Sequence, residues 1–187
     1  MPYITRQQAR AASRSEWVNK SVAEADLRKF ATAPLSTDYD IFLSHSSEDA
    51  EEISGLRMLL KQEGLSIYVD WIEDSGVDRT NVTAENAEML RQRMRHCRHL
   101  LYATSKAASD SRWMPWELGY FDGARQGSVG TIPLVDAPTT TFKGQEYLGL
   151  YPVYQYIAFD DFGQRIGRQT APGKAKLLLK EVNGQYA

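Results

Sequence analysis

Glu117 stands four residues after Trp113 in the run Ser111-Arg112-Trp113-Met114-Pro115-Trp116-Glu117-Leu118-Gly119-Tyr120-Phe121-Asp122-Gly123. On a helix that spacing puts the carboxylate and the indole on one face, close enough to touch. A carboxylate beside a flat aromatic ring suits a planar substrate with a sugar attached, the sugar lying next to the acid. Pro115 fits the first turn of such a helix, where a missing N–H costs little, and Ser111 or Asp110 is placed to cap it. The same residues admit a structural reading: the tryptophans belong to the core, and Glu117 is a solvated first-turn acid favoured by the helix dipole.

The surrounding elements bear on that choice. Tyr39 to Ser44 is a short apolar strand, and Ser46-Ser47-Glu48-Asp49 after it is a helix-start signal. Ile53, Leu56 and Leu60 form an apolar stripe, and Gly64 is a plausible stop. Leu65 to Asp70 is a second strand, followed by a polar loop from Trp71 to Val82 that is long for a compact domain. Thr83 caps the next helix, whose inward face reads Ala87, Leu90, Met94 and Cys97. Leu100 to Ala103, Gly130 to Val135 and Tyr154 to Phe159 are expected as the third, fourth and fifth strands, and Lys174 to Val182 as a closing helix. Pro133 implies an unpaired side or a bulge in the fourth strand.

Alternating strands and helices predict an α/β fold: a five-stranded parallel sheet covered on both faces. Residues 5 to about 33 are expected to add an N-terminal helical extension, with capping boxes at Thr5–Gln8 and Ser13–Glu16. The expected division is an extension over 1–35 and a globular domain over 36–187. In open parallel sheets ligands bind beyond the carboxyl ends of the strands. The segments leaving those ends are 44–47, 70–82 and 104–113, and Trp113 and Glu117 follow the last of them. The rule and the unusual aromatic run point to one cleft.

Composition narrows the classes. A net charge of −2 gives no footing for nucleic acid or an acidic membrane as the main partner. No apolar run approaches the ~20 residues of a membrane helix, and the first eight residues lack a signal-peptide core. A single cysteine, Cys97, excludes an intrachain disulfide, so a cytoplasmic location is expected. His96-Cys97-Arg98-His99 is too sparse for a zinc site, and no metal is expected. Arg91, Arg93, Arg95 and Arg98 read as a solvated basic face.

Taken together, three features resemble a bacterial Toll/interleukin-1 receptor (TIR) domain over about residues 38–160: Tyr39 to Asp49, Asp70-Trp71 with its long loop, and Trp113-x-x-x-Glu117-Leu118. The run Trp116 to Gly123, with Gln145 to Pro152, is similar more narrowly to TIR proteins of antiphage systems such as the Thoeris type. The resemblance implies a flavodoxin-like TIR fold and cleavage of the nicotinamide–ribose bond of NAD+, which is substrate rather than cofactor. Glu117 is then the catalytic residue. Trp113, Ser44, His45, Ser46, Asp70 and Trp71 are the substrate-binding candidates. Trp71 is as compatible with core packing, Ser46 with a helix cap and His45 with a structural role.

Many eukaryotic members carry aromatic-Arg where this chain has His45-Ser46, leaving any pyrophosphate to backbone N–H groups at the start of the Ala50 helix. The product would be ADP-ribose or a cyclic ADP-ribose isomer, sensed by a separate effector, and activity would depend on self-association of TIR surfaces. A non-catalytic interaction module and a related glycosyl-transferring enzyme are the other readings.

Overall fold

The computed structural model describes residues 3–18, 34–70, 83–137, 140, 144–158, 163–171 and 174–184. The expected helix over 19–33, the loop 71–82 and Trp71 lie outside the described residues. A five-stranded parallel sheet runs in the order β1-β5-β4-β2-β3. Its strands are β1 (Ile4–Thr5), β2 (Tyr39–Ser44), β3 (Ile67–Tyr68), β4 (Cys97–Thr104) and β5 (Val129–Val135). Helices α1 (Arg6–Val18), α2 (Ala50–Gln62), α3 (Ala84–Arg95) and α4 (Trp113–Ala124) connect or cover them. The expected α/β class, strand number and parallel sense all hold.

The fifth strand is not the expected one. Tyr154 to Phe159 was expected to close the parallel sheet. Instead Gln155–Ala158 (β6) pairs antiparallel with Gln164–Ala171 (β7), which pairs with Lys174–Leu177 (β8), a separate three-stranded sheet. The closing helix is correspondingly shorter, α5 (Leu178–Val182). The vacant edge of β5 is taken by β1, with Ile4 opposite Leu134 and Thr5 opposite Val135. Lower on that edge Val153 bridges Thr131. Pro133 falls at the changeover between these two partners, where its missing N–H costs the sheet nothing.

Local signals explain most boundaries. Thr5 and Gln8 form a reciprocal capping box at 2.9 and 3.1 Å. Thr83 accepts the Asn86 N–H at 3.1 Å, and Gly64 turns the chain after α2 at φ +85°. α1 lies against α2 so closely that a Cβ at Gly55 would stand 1.6 Å from the Ala9 carbonyl oxygen. Only glycine permits that approach. Ile4 and Ala9 therefore join Ile53, Leu56, Leu60, Leu101 and Ile132 in one core, on the α1–α2 face of the sheet. The other face is aromatic: Phe42, Tyr68 and Tyr102 pack against Leu90, Met94, Trp113 and Phe121 of α3 and α4. Among the described residues no helix is long and apolar enough to cross a membrane.

Candidate active site

On α4 the buried residues are Trp113, Met114, Glu117, Leu118 and Phe121, a single inward stripe. Glu117 occupies a position on that stripe where an apolar side chain would be ordinary, and it is wholly buried. A buried carboxylate is costly unless hydrogen-bonded. Ser44, the last residue of β2, meets that need: its hydroxyl donates to Glu117 Oε2 at 2.5 Å. The pleat explains the encounter, since Ser44 shares its sheet face with Phe42, which packs in the α3–α4 layer. The alternative reading of Glu117 as a solvated first-turn acid is thereby overturned.

His45 and Asp70 stand just beyond, at the carboxyl ends of β2 and β3. The His45 Nδ1–H donates to the Leu43 carbonyl at 2.8 Å, which fixes the ring, and Nε2 lies 3.5 Å from Asp70 Oδ1. Both side chains are buried. Ser46 accepts the Glu48 N–H at 3.4 Å and acts as a cap. Trp113 is nearly buried, edge-on to Trp116 with centroids 5.4 Å apart. The structure thus brings Ser44, His45, Asp70, Glu117 and Trp113 to one end of the sheet. Trp71 is outside the described residues.

A second set of polar groups at the same end escaped the sequence reading. Asp49, buried at the start of α2, accepts from Arg6 Nη1 at 3.0 Å and from the Ser105 hydroxyl. Arg6 also meets buried Glu52 at 2.7 Å. These contacts tie the turn after β2 to the segment after β4, with Arg6 of α1 as the clamp. Arg6 and Asp49 lie 43 positions apart, and no local pattern could have paired them. Arg93 corrects another expectation. It is buried, donates to the Pro34 carbonyl at 2.7 Å and lies over the Tyr68 ring, so only part of the arginine series is solvated.

Tyr102 lies beside Ser44 in the parallel register of β2 and β4. Burial, the Tyr147 hydroxyl and the Glu117 carboxylate push its phenol above the ordinary value, so it stays protonated at neutral pH. No group of three His, Cys, Asp or Glu among the described residues is arranged to hold a metal ion. What the arrangement offers is one carboxylate held by a hydroxyl in a dry aromatic setting. Such a group can stabilise positive charge developing on a sugar.

The family model described as TIR domain matches residues 41–169. The chain is similar to the "Probable 3' cyclic ADP-D-ribose synthase ThsB'" of Bacillus cereus (strain MSX-D12), 51% identical over 121 residues, 64% of this chain and 61% of that protein. It is also similar to the "Putative cyclic ADP-D-ribose synthase TIR2" of Cytobacillus dafuensis, 28% identical over 83 residues, 44% of this chain and 22% of that one. The chain thus spans about six tenths of the first relative and about a fifth of the second. Among solved structures, the TIR domain of the Toll-related receptor TRR-2 of Hydra magnipapillata is 19% identical, with a TM-score of 0.43 over 62% of this chain and 83% of its own.

Proposed function

The chain belongs to the TIR-domain family, and on that premise we propose that it cleaves the bond between nicotinamide and ribose in NAD+. The observation that carries this reading is the buried Glu117 carboxylate held by the Ser44 hydroxyl at the carboxyl end of the sheet. The names of the two relatives, "Probable 3' cyclic ADP-D-ribose synthase ThsB'" and "Putative cyclic ADP-D-ribose synthase TIR2", support it. The nicotinamide leaves with the bonding electron pair as a neutral ring, so no acid is needed to protonate it. Positive charge grows on the ribose, and a carboxylate beside the sugar stabilises that charge more as it grows. Capture of the ribosyl carbon by water gives ADP-ribose. Capture by an acceptor on the adenosine half gives a cyclic isomer, with one proton released in either case. The cyclic product is the one proposed here, acting as an antiphage signal for a separate effector in the cytoplasm.

Ser44 is proposed as the residue that orients Glu117, Trp113 as the nicotinamide side of the site, and Trp71 as a further substrate-binding residue. His45, Ser46 and Asp70 border the ribose and phosphates. Glu117 is closed off from solvent in the single chain. A substrate reaches it only after neighbouring side chains move, so turnover is proposed to require self-association, and specific activity to rise with protein concentration.

The test is nicotinamide release from NAD+ by concentrated full chain and by Glu117→Gln. Loss of release in the variant, with an unchanged thermal midpoint, supports the mechanism; equal release from both removes Glu117 from it. The burial of Glu117 also favours a second reading, a non-catalytic assembly module in which the Ser44 contact is only structural. Absence of release at every concentration, with self-association intact, selects that module.

A further inference from the structure

A cavity of about 470 Å3 opens at the carboxyl ends of β4 and β5, within the size range of small-molecule sites. It is separate from the Ser44–Glu117 pair, yet Tyr102 lines it, and Tyr102 is the register neighbour of Ser44 on the adjoining strand. Neighbouring strands lie about 4.8 Å apart, so one strand divides the cavity from the carboxylate's partner. Its walls are amphipathic. Tyr102, Ala108 and Leu148 supply an apolar side, and Thr104 and Ser109 supply hydroxyls. Thr104 is buried, and its Oγ1 makes no hydrogen bond with any described residue. A buried hydroxyl without a protein partner implies a ligand or water that takes its place.

Charge narrows the ligand class. Arg6 lines the cavity but is engaged by Asp49, Glu52 and Asp136, at 3.0, 2.7 and 3.9 Å. Among the described residues Lys106 is the other cation in the lining. The cavity is therefore better matched to an uncharged planar group carrying hydroxyls than to a polyanion, with Lys106 free to meet a phosphate at the mouth.

We propose that this cavity holds the adenosine half of the dinucleotide, its base against Tyr102 and Leu148 and its ribose hydroxyls on Thr104 and Ser109, while Glu117 acts on the other ribose across the Tyr102 strand. The inference rests on the NAD+-cleaving reading and says how cyclisation would be chosen. The bond from ribose to nicotinamide breaks with its electrons on nicotinamide. An acceptor atom of the docked adenosine half bonds to the vacated carbon, and its proton passes to solvent. Holding both halves on adjacent strands keeps that acceptor near the vacated carbon, which favours closure over capture by water.

The test titrates full chain with adenosine, followed by NMR, in the wild type, Thr104→Val, Ser109→Trp and Glu117→Gln. Thr104→Val keeps the shape and removes the hydroxyl; Ser109→Trp fills the mouth from an exposed position. Adenosine should bind the wild type and Glu117→Gln alike, about fivefold more weakly to Thr104→Val, and at least tenfold more weakly to Ser109→Trp. With NAD+, both cavity variants should raise KM more than they lower kcat and shift the product from cyclic towards linear ADP-ribose. Should Ser109→Trp misfold, Thr104→Val carries the test alone. Wild-type affinity for adenosine in both cavity variants, or no adenosine binding at all, overturns the assignment. Adenosine binding that obeys the pattern while NAD+ is left intact would instead sink the catalytic reading.

Discussion

Two histidine–aspartate pairs stand at opposite ends of the same sheet. At the carboxyl end His45 Nε2 and Asp70 Oδ1 are 3.5 Å apart, their side chains 1% and 2% exposed. At the amino end His96 Nδ1 and Asp38 Oδ1 are 2.9 Å apart, their side chains 38% and 86% exposed. The shorter contact is the wetter one. Distance alone would rank the amino-end pair first, whereas burial reverses the order, because water competes for exposed groups and leaves buried ones dependent on the protein. The carboxyl end concentrates Ser44, His45, Asp49, Asp70 and Glu117, all buried. The amino end places Asp38, Asp40, Ser66, His96 and Arg98 in contact with solvent. One end carries groups whose removal should be felt in chemistry and in stability; the other carries groups that should scarcely matter.

The largest contrast is expected at Glu117. Glu117→Gln should lower nicotinamide release at least 100-fold, the order found when one charge-stabilising group is removed from an active site. The amide oxygen can still accept the Ser44 hydroxyl, so the thermal midpoint should stay near the wild type's. Next comes Asp70→Ala. It takes away the carboxylate facing His45 in a buried setting, and urea unfolding should show a loss of about 1–3 kcal/mol. A change below the error of that measurement would break the ranking by burial. Ser44→Ala should follow, with kcat down by about tenfold and KM nearly unchanged, the signature of a lost positioning contact. Partial rescue by Ser44→Thr, which keeps the hydroxyl, would separate positioning from packing.

What the sequence disclosed follows the same division between local and long-range causes. The Thr5–Gln8 box, the Thr83 cap, the Gly64 turn and the strand from Tyr39 to Ser44 are fixed by residues a few positions apart, and all were legible. β1 was not, because two residues acquire strand character only from a partner 130 positions away. Gln155–Ala158 was legible as a strand, but nothing in its residues says which sheet it joins. Arg93 was misread because only tertiary structure supplies the Pro34 carbonyl and the Tyr68 ring that receive it. Glu117 lay between. Its place on the stripe 113, 114, 117, 118 and 121 was visible, while its bond to Ser44 depends on contacts across 73 positions.

A smaller effect is expected from His99, half-buried on β4 towards the amino end. Burial is the main reason that its imidazole titrates below the ordinary value of 6.5, against the opposing pull of Glu181 and Asp40. A group that binds its proton less well when folded makes the unfolded chain the better proton acceptor between the two values. Stability therefore falls as pH drops through 6.5 towards the folded value, and above 6.5 the contribution vanishes. His99→Gln should flatten the urea midpoint between about pH 7.5 and pH 5.5, relative to the wild type. An unchanged slope would show that His99 is no more strained than an exposed histidine.

The smallest effect should come from the exposed pair, and it is the sharpest check on the comparison. His96→Ala, Asp38→Ala and the double variant form a cycle whose coupling energy isolates the 2.9 Å contact. Two opposing terms set that energy. The contact gains a hydrogen bond, but both groups lose water contacts of nearly equal worth, and holding them costs side-chain freedom. With Asp38 as open as it is, the balance should leave a coupling below about 0.5 kcal/mol. Added salt should erase what remains, because a charge pair in water is screened within about 10 Å at 0.1 M. Nicotinamide release should be unaffected, the pair lying at the end of the sheet away from Glu117. A coupling above about 1 kcal/mol that survives salt would mean that geometry outweighs solvent exposure in this fold. The assignment of chemistry to the buried end would then have to stand on Glu117 and Ser44 alone.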